Sequence, residues 1–160
     1  MDVVDVATRS RMMSGIRGKN TRPEIVVRSL LHAEGFRFRL HRKDLPGNPD
    51  IVLSRHRTVI LVHGCFWHLH SGCRLAKLPA SNAEFWSQKL ENNRARDLRQ
   101  TDELLASGWR VLVVWECATR LPVLRATLQA ELSEWILGDF GTGEIPRAPL
   151  PPVTRSRQSE

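Results

Sequence analysis

One segment of eleven residues, from His63 to Cys73, restricts the fold and chemistry of this chain more than any other. Its sequence, HGCFWHLHSGC, holds two cysteines, three histidines and two adjacent aromatic residues. It directly follows the apolar run 59–62, which has the composition of a buried strand. Folding alone gives a loop no reason to keep large aromatic rings beside so many metal-ligating side chains. The segment predicts a strand that ends in a metal-stiffened loop, whose rings can stack or wedge.

The cysteines and one histidine of this region predict a structural zinc site. All three cysteines of the chain, Cys65, Cys73 and Cys117, combine with His70 into a Cys₃His set, which is a known tetrahedral zinc combination. An odd number of cysteines in a reducing compartment argues against disulfides. The alternative is a group of buried free thiols. A zinc ion with four protein ligands has no open position, so the chemistry is expected to lie elsewhere.

The composition predicts one soluble domain that binds a polyanion. The chain has 160 residues, 41% of them hydrophobic and 26% charged, which is enough for a single core. No apolar run has the length of a membrane span, and the first residues have no signal-peptide core, so we expect a cytoplasmic protein. Lys and Arg outnumber Asp and Glu by 24 to 17, which favours nucleic acid as the partner.

Residues 1–20 predict an arm that contacts DNA. Met13 stands among basic residues, and such an arm can follow phosphates while an apolar side chain enters between bases. A solvated amphipathic helix is the alternative interpretation. The basic residues of the arm are Arg9, Arg11, Arg17 and Lys19.

Caps and periodicity predict the element order α-β-β-β-α-β-α, a mixed sheet flanked by helices. Thr21, with Pro23 and Glu24 after it, begins a helix that ends at Gly35. The later elements are a half-buried strand over 36–40, a hairpin of 50–53 and 58–62, a helix over 83–107 capped by Asn82, a buried strand over 109–115 and a helix over 122–137. The domain thus covers 21–138, and the Pro- and Gly-rich residues 139–160 predict a disordered tail.

Asp50 is the candidate ligand of a catalytic cation. It begins a predicted strand after a Pro-Gly-Asn-Pro turn, and a carboxylate with waters and phosphate oxygens is a common Mg²⁺ site. An Asp after Pro can also be a simple turn residue. The hairpin brings Asp50 near the carbonyl of Val62 and the ring of His63, while His68 can accept a proton near neutral pH. One such histidine would be interpreted as structural, but two near one carboxylate favour catalysis.

Two further carboxylates are candidates for the same site. Asp97 falls on the apolar face of the long helix, where a charge is costly unless it is paired. A catalytic histidine is one predicted partner, and a salt bridge to Arg94 or Arg96 is the alternative. Glu24 has two interpretations, as a helix-capping acid and as a carboxylate that faces the metal through water.

Phe66, Trp67 and Trp86 form an aromatic group that predicts insertion into a duplex. Unstacking a base step costs a few kcal/mol. The cost is lower at a mismatched pair, so a wedge can select mismatched DNA. Core packing is the alternative, and it is strongest for Trp86 on its helix.

These motifs resemble those of the very-short-patch repair (Vsr-type) DNA mismatch endonucleases. The similarity covers about residues 6–138 and rests on LPGNPDIVL, HGCFWHLHSGC, EFWSQKLENNRARD and GWRVLVVWEC, with TRSRMMSGIRGKNTRPE before them. The resemblance implies an α/β, restriction-endonuclease-like fold. It also implies Mg²⁺-dependent cleavage of double-stranded DNA on the 5′ side of the thymine in a T:G mismatch, and a structural Zn²⁺.

The resemblance also implies a role for each matching residue. The Mg²⁺ ligands would be Asp50 and the carbonyl of Val62, with His68 as base and His63, Asp97 and Glu24 assisting. The Zn²⁺ ligands would be Cys65, His70, Cys73 and Cys117. Phe66, Trp67 and Trp86 would intercalate, with Met13 entering from the opposite groove. This chain departs from the pattern by one inserted residue before Cys73.

Two other functions fit part of these features. A zinc-stiffened module that binds distorted DNA would leave Asp50, His63 and His68 without a shared task. A dimeric restriction-type nuclease on unmodified DNA would have to wedge open a perfect duplex with Phe66 and Trp67. We therefore predict a monomeric mismatch nickase, with mismatch-repair proteins as candidate partners.

Overall fold

A computed structural model describes residues 20–147 of the chain. Five strands and four α-helices succeed one another within these residues. They are α1 Arg22–Ala33, β1 Arg39–Leu40, β2 Ile51–Leu53, β3 Thr58–His63, α2 Ala83–Ala106, β4 Arg110–Trp115, α3 Glu116–Arg120, α4 Pro122–Leu137 and β5 Thr142–Ile145. None of the described helices combines the length and the apolar character that crossing a membrane requires.

The five strands form one sheet in the order β1-β2-β3-β4-β5, which confirms the predicted mixed sheet of an α/β fold. β1, β2 and β3 are antiparallel neighbours, whereas β3, β4 and β5 run parallel. In the β2–β3 hairpin Ile51 pairs with Ile60, and in the β3–β4 pair His63 lies beside Trp115. The beginning of β2 and the end of β3 therefore share one edge of the sheet, and Asp50 and His63 lie there.

Alternate side chains of β2 and β3 enter two cores, one on each face of the sheet. Helices α1 and α4 cover the first face, where Leu31 and Leu132 pack with Ile60. Helix α2 closes the second face, where Leu104 packs with Val59. Both strands are apolar on both faces because each face has a helix to bury it.

The predicted start and end of α1 are confirmed, but the capping box is not complete. The Thr21 hydroxyl oxygen accepts a hydrogen bond from the Glu24 amide at 3.4 Å, and Gly35 adopts φ +85° after the helix. The Glu24 carboxylate accepts instead from the Asn20 amide at 2.8 Å, one residue before the cap. The Glu24 side chain thus contacts the residue before the cap rather than the cap itself, and it also accepts a hydrogen bond from Arg28.

Two predictions for individual elements are wrong. Strand β1 comprises only Arg39–Leu40 of the predicted 36–40, and both of its residues are exposed, because pairing with β2 ends at Val52. Asn82 occupies the N-cap position of α2, but it has φ +56° and its side chain makes no capping hydrogen bond. The short helix α3 was not predicted, because it occupies five of the six residues between β4 and α4, too few to show a helical pattern.

The prediction of disorder from Asp139 onward is wrong for residues 142–145. They form β5, which pairs in parallel with β4 from Val111–Thr142 to Val114–Ile145, and Ile145 is 4% exposed in the first core. The glycines and prolines in and around this segment disfavour a strand locally, and β5 forms because it pairs with β4. Residues 1–19 and 148–160 lie outside the described residues, and with them the predicted arm of Arg9, Arg11, Met13, Arg17 and Lys19.

Candidate active site

A pair of carboxylates lies where β2 begins. Asp50 accepts a hydrogen bond from the Val62 amide at 2.8 Å, so the hairpin brings these residues together through the Val62 N–H. Glu24, 2% exposed, approaches from α1 and accepts from Arg28 at 2.9 Å, with the His41 ring nitrogen Nε2 at 3.2 Å. One ligand atom from each of Glu24, His41 and Asp50 lies within 4.8 Å of the others. This set offers the oxygen ligands that suit Mg²⁺.

The two carboxylates have opposite pKa shifts. Burial raises the pKa of Asp50 to about 8, and its hydrogen bond with Glu24 adds to the rise, while the Val62 amide opposes it. Burial also raises the pKa of Glu24, but hydrogen bonds with Asp50, the Asn20 amide, Arg28 and His41 outweigh burial and lower it. The pair therefore keeps a proton near neutral pH, and a divalent cation would take the place of that proton.

The histidines of the loop form the second part of the site. His68 lies with Nδ1 at 2.6 Å from the Asp97 carboxylate, as one of the two sequence interpretations predicts. A carboxylate only accepts, so Nδ1 of His68 carries a proton, and in the neutral form of the ring Nε2 has a lone pair. His63 stacks on His68 with ring centroids 3.9 Å apart. Burial, and then the charge of His68, hold the pKa of His63 well below its usual range, so His63 is neutral.

The Cys/His cluster lies next to this site and offers four ligands to one metal ion. Cys65, His70 and Cys117 are buried and Cys73 is half-buried, and their ligand atoms all lie within 4.8 Å of one another. His70 Nδ1 is 3.5 Å from Cys65 Sγ and 3.6 Å from Cys117 Sγ. The hydrogen bond with Cys117 and then burial raise the pKa of Cys65, and burial raises that of Cys73. Four soft ligands around one point fit a zinc ion.

The predicted aromatic group is a contiguous cluster. Phe66 contacts Trp67 with ring centroids 5.1 Å apart and Trp86 with centroids 5.5 Å apart. Trp86 is half-buried and belongs to neither core, which weighs against the packing interpretation. Asn93 donates to the carbonyl of Trp67 at 3.1 Å and ties the loop to α2. Phe85, 60% exposed, extends the cluster with its ring 5.3 Å from Trp86.

Sequence reasoning missed three residues of this region: His41, Phe85 and Trp115. His41 follows β1, has φ +49° and donates its amide to the Asp50 carbonyl at 3.1 Å, so its place depends on strand pairing. Phe85 stands directly before Trp86, which was a usable signal. Trp115 was interpreted only as a strand residue, yet its ring lies between His63 and His70.

Comparison with known proteins shows the family of this chain. The sequence model of the family described as DNA mismatch endonuclease Vsr matches residues 1–74. The DNA mismatch endonuclease Vsr of Escherichia coli (strain K12) is 44% identical over 146 residues, 90% of this chain and 93% of the relative. The type II nicking enzyme V.XorIIP of Xanthomonas oryzae pv. oryzae is 62% identical over 109 residues, 68% and 79% of the two chains. The chain therefore belongs to the Vsr family of DNA mismatch endonucleases.

Proposed function

We propose that this chain nicks one strand of double-stranded DNA on the 5′ side of the thymine in a T:G mismatch, by Mg²⁺-dependent hydrolysis. One observation carries the proposal: the Glu24–Asp50 pair and the His63–His68–Asp97 group lie at the same edge of the sheet, where Asp50 accepts a hydrogen bond from the amide of Val62, the residue before His63. The named relatives, a mismatch endonuclease and a nicking enzyme, support the reaction class. We further propose that the fold is restriction-endonuclease-like and that the chain acts as a monomer in the cytoplasm.

We propose that Asp50 and the carbonyl of Val62 hold Mg²⁺, and that Glu24 and His41 support Asp50. The support is a half-buried carboxylate with a raised pKa, because a cation would remove the cost of its negative charge. A bound Mg²⁺ would polarise the scissile phosphate and stabilise the charge that develops on it. Glu24 would keep Asp50 oriented, and His41 and Arg28 would keep Glu24 in place through their contacts with its carboxylate.

His68 is the proposed general base. Its Nε2 would take a proton from the attacking water while the Asp97 carboxylate keeps Nδ1 protonated and stabilises the charge that results. His63, stacked against His68 and neutral, would limit the rotation of the base and contact the phosphate. Hydrogen bonding to a carboxylate fixes the tautomer of a histidine, so loss of Asp97 should weaken the base without removing it.

The aromatic cluster and the zinc ligands are proposed to select the mismatch. Phe66, Trp67 and Trp86 would insert beside the T:G pair, where unstacking costs least. Zn²⁺ on Cys65, His70, Cys73 and Cys117 would be structural and would stiffen the loop that carries these rings. Met13 and the basic residues of the arm would hold the opposite groove and the phosphates. Mismatch-repair proteins remain candidate partners.

A nicking assay with Mg²⁺ on end-labelled duplexes tests the proposal. T:G mismatches in several flanking contexts are compared with matched T:A and C:G controls, for the wild type and for Asp50→Ala. We expect a nick 5′ to the mismatched thymine that Asp50→Ala abolishes while mismatch binding persists. Tight mismatch binding without cutting in every context would instead support a binding module. Cutting of both strands of matched DNA would support a restriction-type nuclease.

A further inference from the structure

Four aromatic rings form a continuous column from the base to the Cys/His cluster. His68 stacks on His63 with centroids 3.9 Å apart and planes 4° apart. The ring of Trp115 meets His63 edge-on at 5.4 Å and stacks face-to-face on His70 at 4.1 Å and 6°. Trp115 is thus the one link in this column that is neither a proposed catalytic group nor a proposed zinc ligand.

Both ends of the column are held, and so is its middle. His68 is bound to Asp97, and His70 lies between the thiols of the Cys/His cluster. Trp115 donates Nε1–H to the Glu144 carboxylate at 2.7 Å, a short charge-assisted hydrogen bond from β5. That bond prevents the indole from turning within its own plane, a motion that stacking alone does not restrict.

Ordinary core packing does not account for Trp115. Its ring is half-buried and belongs to neither hydrophobic core, although it ends a strand whose other apolar residues do. Its neighbours are instead two histidine rings and a carboxylate. A side chain that contacts two histidine rings and a carboxylate, outside both cores, contributes more to their orientation than to apolar burial.

We propose that Trp115 and Glu144 are positioning residues for His63, and through it for His68. The indole, held by Glu144 and stacked on His70, makes a T-shaped contact with His63 and limits the rotation of that ring. The two histidines then keep the geometry that proton transfer needs. This inference rests on the proposed function for the role of the histidines, but not for the arrangement of the rings.

The test compares Glu144→Ala with Glu144→Gln, which keeps a hydrogen-bond acceptor, in the full-length zinc-loaded protein. For Glu144→Ala we expect kcat on a T:G duplex to fall about tenfold with KM nearly unchanged, because small misplacements of a catalytic group cost large factors in rate. Glu144→Gln should retain most of the rate. The exposed Glu134 on α4 provides the matched control, Glu134→Ala, which should leave kcat unchanged.

A second readout does not depend on cleavage. The carbon-bound ring protons of His63, identified with a His63→Gln variant, sense the ring current of Trp115 in an NMR spectrum. Their shift should move in Glu144→Ala and in Trp115→Phe, while zinc content stays constant. If Glu144→Ala does not fold, Trp115→Phe replaces it in both measurements. The proposal is overturned if kcat is unchanged, if Gln fails as badly as Ala, or if the His63 signals stay in place.

The two readouts also separate failure of this inference from failure of the proposed function. If the wild type nicks no mismatch, the proposed function fails, yet the His63 signals still test the ring column. If the wild type nicks and the signals move without a change in kcat, the column exists but does not position the base, and the inference is wrong.

Discussion

Asp50 is half-buried in a setting that favours its protonated form. Among its neighbours with titratable or charged side chains, Glu24 raises its pKa and Arg28 lowers it, and His41 lies 3.2 Å from the Glu24 carboxylate. Burial has the largest effect, so the carboxylate is unfavourable in the fold when it is charged and alone. A residue kept under such a cost is typical of functional sites.

The raised pKa of Asp50 predicts how stability depends on pH. Its pKa is about 8 in the fold and about 3.9 in the unfolded chain. The contribution of Asp50 to the free energy of unfolding is therefore fully present below about pH 4 and is lost as the pH rises through about 8. Glu24, whose pKa is lowered, changes in the opposite sense. In the absence of divalent cations, we expect Asp50→Asn to melt several degrees higher than the wild type at pH 8.

Thermal unfolding between pH 5 and pH 8 checks this expectation. Mg²⁺ should raise the melting temperature of the wild type at pH 8 and should have little effect on Asp50→Asn. The exposed Asp102 on α2 provides a matched control, Asp102→Asn, which should follow the wild type. Equal melting curves for Asp50→Asn and the wild type across this pH range would show that Asp50 bears no such cost.

At the scale of elements, Arg110 joins three parts of the fold. It begins β4, and its guanidinium donates to the carbonyls of Trp135 and Ile136 at 3.0 Å each, at the C-terminal end of α4. It also donates to the Phe140 carbonyl at 2.8 Å and lies 4.7 Å over the Trp135 ring. The last carbonyls of a helix lack internal partners and carry partial negative charge, so a cation there satisfies both needs. The same contacts direct the chain into β5.

Loss of Arg110 should therefore destabilise the whole C-terminal part of the sheet. For Arg110→Met we expect a loss of about 2–4 kcal/mol in the free energy of unfolding, because removal of the charged donor deprives several carbonyls of their hydrogen-bond partner. Urea unfolding followed by circular dichroism measures it, with Arg99→Met, at an exposed position of α2, as control. A loss no larger than that of the control would mean that water replaces the guanidinium without cost.

At the scale of the whole molecule, the Cys/His cluster joins segments that are far apart in sequence. Cys65, His70 and Cys73 come from the loop after β3, whereas Cys117 follows β4 in α3. The Glu116 carboxylate accepts a further hydrogen bond from the Cys65 amide at 3.2 Å. The loop that carries the aromatic rings and the base is thus held to the parallel part of the sheet.

Removal of the proposed zinc should affect binding and cleavage together. Cys117→Ser, or treatment with a strong chelator, should release zinc, lower the melting temperature by about 10 °C or more and abolish both mismatch binding and nicking. Asp50→Ala, in contrast, should lose only the nicking. Ser71→Ala, an exposed change in the same loop, is the control. Full zinc content in Cys117→Ser would exclude Cys117 from the ligand set.

Local chemistry in the sequence was enough to predict several parts of this protein. The Thr21 cap and Gly35 gave the limits of α1, and α4 has the predicted bounds Pro122–Leu137. Helical spacing placed Asp97 on an apolar face, and the need to pair a charge there gave a catalytic histidine and a nearby arginine as alternative partners, of which the structure has the histidine. Each of these depends on residues within a few positions of one another, or on one face of a single helix.

Long-range pairing decided what the sequence alone could not. β5 forms because β4 offers it an edge to pair with and the core offers a place for Ile145, against the local preference of Gly143. β1 is short because its pairing with β2 covers only two residues. His41 reaches Glu24, and Trp115 stands between His63 and His70, through strand register that no local pattern records. The sequence by itself determined which residue types would carry the chemistry. Only the tertiary structure decided which of them touch, because such contacts depend on how distant segments pair and pack.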